Sequence, residues 1–176
     1  GYTTAIILSL RNKKVFEEIS EELKGFDPLT LLFLNVVSEL RISGPNFEGT
    51  ISVIRGEEEI LISVDEKVEK YKVFREEKKV PYHISSSLPE DHLDLTHCTI
   101  SIAISQRPLE SHPMIFSYFP TAERSPFPFF IHGDFILDAG RKHLRADAIN
   151  YNQWVAQRIA ELFVEKIIPF LLSNCG

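Results

Sequence analysis

The spacing of apolar residues predicts two helices near the start of the chain. Val15, Ile19 and Leu23 recur at fourfold spacing after Asn12, a residue type that caps helices, so we expect an amphipathic helix from Lys13 to Lys24. Gly25 then ends that helix.

Asp27 and Pro28 form a second helix start, because aspartate caps a helix well and proline suits its first position. The residues that follow, up to Val37, would place apolar side chains on nearly every side of this helix. A helix of this kind lies either deep in a core or between two domains.

From Leu40 onward, the spacing of apolar residues is typical of β-strands. Short strands separated by turns are expected at Leu40 to Ile42, Gly49 to Arg55 and Glu59 to Val64, as in an antiparallel meander. Glu66 to Lys79 fits a polar helix or an edge strand, and we favour the edge strand. Ser85 to Asp91 reads as an exposed loop.

Three more strands and a long helix complete the pattern. Thr96 to Gln106 alternates isoleucines with polar residues, which predicts a strand buried on one face, with His97 exposed on the other. Met114 to Phe119 and Pro128 to Leu137 are the other two strands. Ala148 to Ile168 is amphipathic and is ended or bent by Pro169. In this helix, Tyr151 and Trp154 are expected to pack onto the aromatic sheet.

The order of these elements indicates an α+β fold. It has an N-terminal strand and two helices, then a mostly antiparallel sheet, then a long C-terminal helix packed on the sheet. The first strand, Tyr2 to Leu10, contains an apolar run typical of a strand buried on both faces. Such a strand at the first residues suggests a fragment of a larger protein.

Composition narrows the classes of partner. The chain has 176 residues, of which 44% are apolar, and this is enough for a sizeable core. The net charge of −6 argues against a general nucleic-acid binder. We expect no membrane helix, since no apolar run reaches the roughly 18 residues required. The cysteines Cys98 and Cys175 form no disulfide framework, which makes a cytoplasmic location the default expectation.

The segment from Ile115 to Asp147 is the most informative. Six of the 13 phenylalanines lie between Phe116 and Phe135, and we expect them to form a central part of the core. Charged residues follow a glycine-containing turn, and these are Arg141, Lys142, His143, Arg145 and Asp147. Such a cluster is either a phosphate or carboxylate site or a solvated loop, and spacing alone leaves both open.

A metal site is a further alternative in the same segment. His132 and Asp134 share one face of the predicted strand, and His143 approaches them if the turn folds back. A metal-dependent hydrolase would need a metal bound at His132 and Asp134. The remaining histidines are scattered and form no pair at ligand spacing.

Part of the chain resembles a known family. The characteristic block of sacsin-type and related bacterial or archaeal proteins is similar to Phe119-Pro120-Thr121, to Pro128 through Phe135, to Gly140-Arg141 and to Asn152-x-Trp154. In that family the block follows a histidine-kinase-like (GHKL) ATPase domain, the nucleotide-binding fold of the ninety-kilodalton heat-shock chaperones. Gly1 to Leu10 resembles the last strand of such a domain, and Phe26 to Ile42 the helix that leads out of it.

The resemblance implies a middle, transducer-like domain at residues 43–176, preceded at residues 1–42 by the distal strand and exit helices of an ATPase domain. ATP and magnesium would bind upstream, so this chain alone would hold no cofactor and be inactive, while the full-length protein would be an ATPase. The upstream domain is then the main partner, and a client protein and a second copy of the chain are candidates.

The resemblance also implies that a basic residue of the middle domain contacts the γ-phosphate of ATP. Arg141 is the main candidate, and Lys142 and Arg145 are weaker ones. The competing interpretation of Arg141 is an ion pair with Asp138 or Asp147. A rival function is a docking or scaffold domain that binds a client through exposed aromatic residues around Phe127 and Phe130.

Overall fold

The computed structural model describes residues 9–44, 46–109 and 113–174. The predicted strand Tyr2 to Leu10 therefore falls almost entirely outside the described residues. The strands are β1 (Glu39–Gly44), β2 (Phe47–Arg55), β3 (Glu59–Val64), β4 (Lys67–Lys79), β5 (His97–Ser105), β6 (Met114–Ser117), β7 (Phe119–Arg124) and β8 (Phe130–Gly133).

These strands form one sheet in the order β1, β2, β3, β4, β5, β8, β6, β7. Every neighbouring pair is antiparallel except β8 and β6, which run parallel and pair Ile131 with Ile115. The meander from β1 to β3 is confirmed, and so is the α+β class with its mostly antiparallel sheet. The last strand in sequence, β8, lies between β5 and β6.

Helices lie before and after the sheet. Helix α1 (Lys13–Lys24) has its predicted bounds, and the Asn12 side chain accepts a hydrogen bond from the Val15 N–H at 3.0 Å. The segment predicted as an exposed loop, Ser85 to Asp91, begins at the end of a single helical turn, α2 (Tyr82–Ser85), and ends within a 3₁₀ turn (Glu90–His92).

The C-terminal helix packs on the sheet as expected but continues past Pro169. Its parts are α3 (Ile149–Leu162), a π-helical turn (Phe163–Ile167) and α4 (Ile168–Ser173). The Ile168 N–H donates to the Phe163 carbonyl, five residues back. This wider turn precedes Pro169, which lies at the second residue of α4.

The second predicted helix is only a four-residue 3₁₀ helix, Pro28–Leu31, with Asp27 capping the Leu29 N–H at 2.9 Å. The chain then leaves helical geometry and places its next residues against the sheet. Arg55 on β2 donates to the carbonyls of Leu31 and Val37, each at 2.7 Å. These long-range bonds satisfy carbonyls that a continued helix would use internally.

Strand β4 is an interior strand between β3 and β5, so the prediction of an edge strand is wrong. Its charges do not mark an edge because some of them pair across the sheet, as Lys70 does with Glu59 at 2.7 Å. Strand β5 is buried on both faces, since Ser101 and Ala103 are as inaccessible as Ile102. His97 is exposed as expected.

The segment from Met114 to Phe119 holds one strand and the start of another. Tyr118 separates β6 from β7 with a positive φ of 61°, a conformation uncommon for a residue other than glycine. The chain reverses there, and Ser117 pairs with Phe119.

Each face of the sheet carries a hydrophobic core. The first core joins β5 and β8 to the C-terminal helix, with Tyr151, Trp154 and Val155 packed on the sheet as predicted. The second core buries Leu31, Leu32 and Phe33 together with residues of β2, β3 and β4. Among the described residues, none of the helices has the length and apolar character needed to cross a lipid bilayer.

Candidate functional site

The candidate site is the turn that follows β8, residues 138–145, which we call the Arg141 turn. Backbone hydrogen bonds close its base. The Asp138 N–H donates to the His143 carbonyl at 2.9 Å, and the Arg145 N–H donates to the Ile136 carbonyl at 3.0 Å. Leu137 and Leu144 form a bridge between these bonds. The turn is therefore a closed loop with a defined base.

The Asp138 carboxylate organises the interior of the turn. Its Oδ1 accepts the N–H of Lys142 at 3.0 Å and of His143 at 3.3 Å. These two backbone hydrogen bonds lower the pKa of Asp138. The Asp138 carbonyl also accepts the Arg141 N–H at 2.9 Å. Three consecutive backbone donors therefore bind this single residue.

Arg141 occupies the left-handed region with a φ of 53°, and its side chain is exposed. Within the part of the chain that the structure describes, its guanidinium forms no ion pair and no hydrogen bond. The alternative of an ion pair with Asp138 or Asp147 is therefore wrong. Asp138 binds the backbone of the turn instead, and Asp147 is taken by another arginine.

That arginine is Arg145, whose guanidinium lies between two carboxylates. It contacts Asp91 at 2.8 Å and Asp147 at 2.7 Å. The hydrogen bonds that Arg145 donates to both carboxylates raise its pKa. Arg145 thus ties the turn to the segment before β5, and its charge is already balanced, which makes it a poor phosphate ligand.

Lys142 and His143 complete the turn. The Lys142 side chain is exposed, and its carbonyl accepts the N–H of Ala122 on β7 at 2.9 Å. His143 Nδ1 lies 3.2 Å from the Glu123 carboxylate on the same strand. The turn is therefore attached to β7 as well as to β8.

The base of the turn rests on buried polar contacts that the sequence did not reveal. Asn152 on α3 accepts the Ile136 N–H and donates to the Ile136 carbonyl, each at 2.9 Å. Ser117 donates to the Phe135 carbonyl at 3.0 Å from the other side. A buried asparagine beside Tyr151 on the apolar face of a helix was the available signal, because buried amides require partners.

His132 belongs to the core. It is 3% exposed and stacks on Phe33, with ring centroids 5.1 Å apart. Its Nδ1 accepts the Tyr118 N–H at 3.3 Å, and its Nε2 lies 3.6 Å from Asp134 Oδ1. Burial lowers the pKa of His132 to about 4. The imidazole is therefore neutral at neutral pH, with both ring nitrogens facing protein groups.

The metal alternative needs a metal at His132 and Asp134, and His143, which could have approached them, lies against Glu123 instead. Across residues 9–44, 46–109 and 113–174, no cluster of three or more histidine, cysteine or carboxylate side chains is arranged to hold a metal. Asp134 also has a structural role, since its Oδ2 accepts the Thr99 N–H at 2.7 Å. The geometry thus gives the hydrolase alternative no ligand set in this part of the chain.

The aromatic block divides between core and surface. Phe116, Phe129, Phe130 and Phe135 are buried, so the core prediction holds for them. Phe130 is only 3% exposed, and its place in a docking surface is wrong. Phe127 is 43% exposed and stacks on Phe129 and Phe163 beside a cavity of about 200 Å³ with an apolar lining.

Comparison with protein-family models, with curated proteins and with solved structures finds no match to this chain.

Proposed function

We propose that this chain is a transducer-like middle region that acts with a GHKL-type ATPase unit of the same protein, and that Arg141 contacts the γ-phosphate of ATP when the two units close together. The proposal rests on the exposure and the hydrogen bonds of Arg141. Its guanidinium is exposed and has no partner among the described residues, yet its backbone is fixed by hydrogen bonds to Asp138.

This combination suits contact with an anion from outside the chain. A guanidinium stays charged on desolvation and can bind two phosphate oxygens at once. A rigid backbone reduces the conformational entropy lost when the contact forms. Lys142 shares the turn and lies close enough in sequence to add a second charge. ATP supplies the phosphoryl group, and Arg141 stabilises the negative charge on it.

The exposed apolar residues of helix α1 favour the proposal of a neighbouring unit on the N-terminal side. Its apolar residues Phe16, Ile19 and Leu23 are 38 to 42% exposed, and no residue of the helix is buried. Residues 31–33 and β1, by contrast, pack with the sheet. Among the described residues of the predicted segment 1–42, helix α1 therefore presents an apolar face that is available to an ATPase unit.

The test uses the full-length protein that carries this chain. We expect Arg141→Ala to lower kcat for ATP hydrolysis about 10²-fold and to leave the Kd for ATP within about twofold, because the contact forms only on closure. Arg141→Lys should recover part of the loss. Arg41→Ala is the matched control, since Arg41 is an exposed arginine on the edge strand β1. Unchanged turnover in Arg141→Ala would reject the role, as would a full-length protein that contains no nucleotide-binding region.

A second candidate function is client docking, which the exposed Phe127 and the adjacent apolar cavity favour. The cavity has room for one apolar side chain of a partner. The probe is a chemically unfolded model protein, whose aggregation the full-length protein would suppress. If Phe127→Ala suppresses aggregation as well as the wild type does, the docking function is wrong.

A further inference from the structure

Asp138 binds three consecutive backbone donors of the Arg141 turn. Its carbonyl accepts the N–H of Arg141 at 2.9 Å, and its carboxylate Oδ1 accepts the N–H groups of Lys142 and His143 at 3.0 and 3.3 Å. Consecutive N–H groups around a left-handed residue form a concave site that attracts anions. Here Asp138 fills that site, with its carbonyl at Arg141 and its carboxylate at Lys142 and His143.

Two consequences follow for Arg141. The backbone of the turn has no free donors at residues 141 to 143, so an incoming phosphate meets the guanidinium instead of the peptide groups. The hydrogen bonds also hold Arg141 in the left-handed region, a conformation that residues other than glycine rarely adopt. Without the carboxylate, the turn would relax and the direction of the side chain would no longer be fixed.

We propose that Asp138 is a positioning residue for Arg141: it occupies the backbone donors of the turn, keeps its carboxylate away from the guanidinium, and fixes the arginine for contact with a phosphate group. This inference rests on the proposed function. Its role depends on Oδ1 as a hydrogen-bond acceptor, which an asparagine also provides at the same position.

Two substitutions separate the acceptor from the charge. In the full-length protein, Asp138→Ala removes the acceptor and should lower kcat for ATP hydrolysis at least tenfold with the Kd for ATP within about twofold of wild type. Asp138→Asn keeps the acceptor and should stay within about threefold of wild-type turnover. Amide hydrogen exchange at Lys142 and His143 should be faster in Asp138→Ala and near wild type in Asp138→Asn.

A double substitution tests whether Asp138 acts through Arg141. In the Arg141→Ala background, Asp138→Ala should change turnover by less than about twofold, because the group that it positions is gone. If Asp138→Ala lowers turnover as much in the Arg141→Ala background as in the wild type, the inference is wrong. It is also wrong if Asp138→Asn lowers turnover as much as Asp138→Ala does.

The two proposals fail in different ways. If Arg141→Ala lowers turnover while Asp138→Ala does not, the positioning role is wrong and the proposed function stands. If Arg141→Ala has no effect, both are wrong. A thermal midpoint for Asp138→Ala within a few degrees of wild type shows that the protein remains folded, as expected for an exposed turn.

Discussion

Asn152 binds Ile136 through both ends of its amide group, donating to the carbonyl and accepting from the N–H at 2.9 Å in each case. This pair joins helix α3 to the segment between β8 and the Arg141 turn. Since Asn152 is 2% exposed, no water replaces it easily. Asn152 thus helps to fix the base of the candidate site, together with Ser117 and the backbone hydrogen bonds of the turn.

Asn152→Ala should destabilise the protein, because it leaves the buried Ile136 N–H without a partner, while the Ile136 carbonyl keeps its hydrogen bond from the Arg145 N–H. A buried group without a partner costs about 1 to 3 kcal/mol, and we expect a loss of that order in the free energy of unfolding. Denaturant titration measures it. Asn150→Ala, at an exposed position of the same helix, is the control. A loss no larger than that of the control would contradict the role of the amide.

Gly133→Ala should also destabilise, by overpacking. A Cβ at Gly133 would lie 2.7 Å from Val155 Cγ1 and 3.0 Å from the Phe135 ring. We expect a loss of about 1 to 3 kcal/mol in unfolding free energy. Gly49→Ala on β2 is the matched control, because a Cβ there meets no atom within 4 Å. Equal unfolding midpoints for the two variants would show that α3 shifts freely away from β8.

Trp154→Ala removes a large side chain that is 8% exposed and neighbours Tyr151. Deleting a buried aromatic residue usually destabilises by about 3 to 5 kcal/mol, and we expect that range in denaturant titration. Gln153→Ala, next to it on the exposed face, should change stability by less than about 0.5 kcal/mol. A thermal midpoint of Trp154→Ala equal to that of wild type would contradict the packing.

His132 should make stability depend on pH. The unfolded state takes up a proton near the ordinary histidine pKa of about 6.5, while burial delays protonation of the folded state to about pH 4. Between these values the unfolded state binds more protons, so stability falls as the pH falls. The contribution of His132 is at most about 1.4 kcal/mol per pH unit.

The measurement is unfolding free energy from pH 7 to pH 4 for the wild type and for His132→Leu. The substitution removes the titrating group, so the difference between the two proteins should narrow as the pH falls. A difference independent of pH would show that His132 takes up its proton equally in the folded and unfolded states.

Helices and strands that depend on a local repeat of apolar residues could be predicted from the sequence. Helix α1 follows from Asn12 and a fourfold apolar repeat, and β3 follows from alternation over Glu59–Val64. The position of β8 was not predictable, since it depends on pairing Ile100 with Gly133 and Ile115 with Ile131. Pro169 was expected to end or bend the helix, and it does not end it, since helical structure continues past it through a π-helical turn.

The candidate site also combines features that the sequence predicts with features that depend on contacts between distant residues. The resemblance drew attention to Arg141, but the competing ion pair depended on which carboxylates were free. Arg145 reaches Asp91, 54 residues earlier in the chain, and no spacing rule relates them. Asp138 also had two possible partners, the guanidinium and the backbone, and only the folded turn shows that the backbone donors bind it.

The place of β8 between β5 and β6 has a consequence for how the protein is made. A growing chain that ends before Phe130 has both neighbours of β8 but not β8 itself, so β5 and β6 each present an unpaired edge. Open edges of this kind favour aggregation. Both edges stay open until β8 enters the sheet. Chaperone protection of the nascent chain would therefore matter most before β8, which ends at Gly133, has been made.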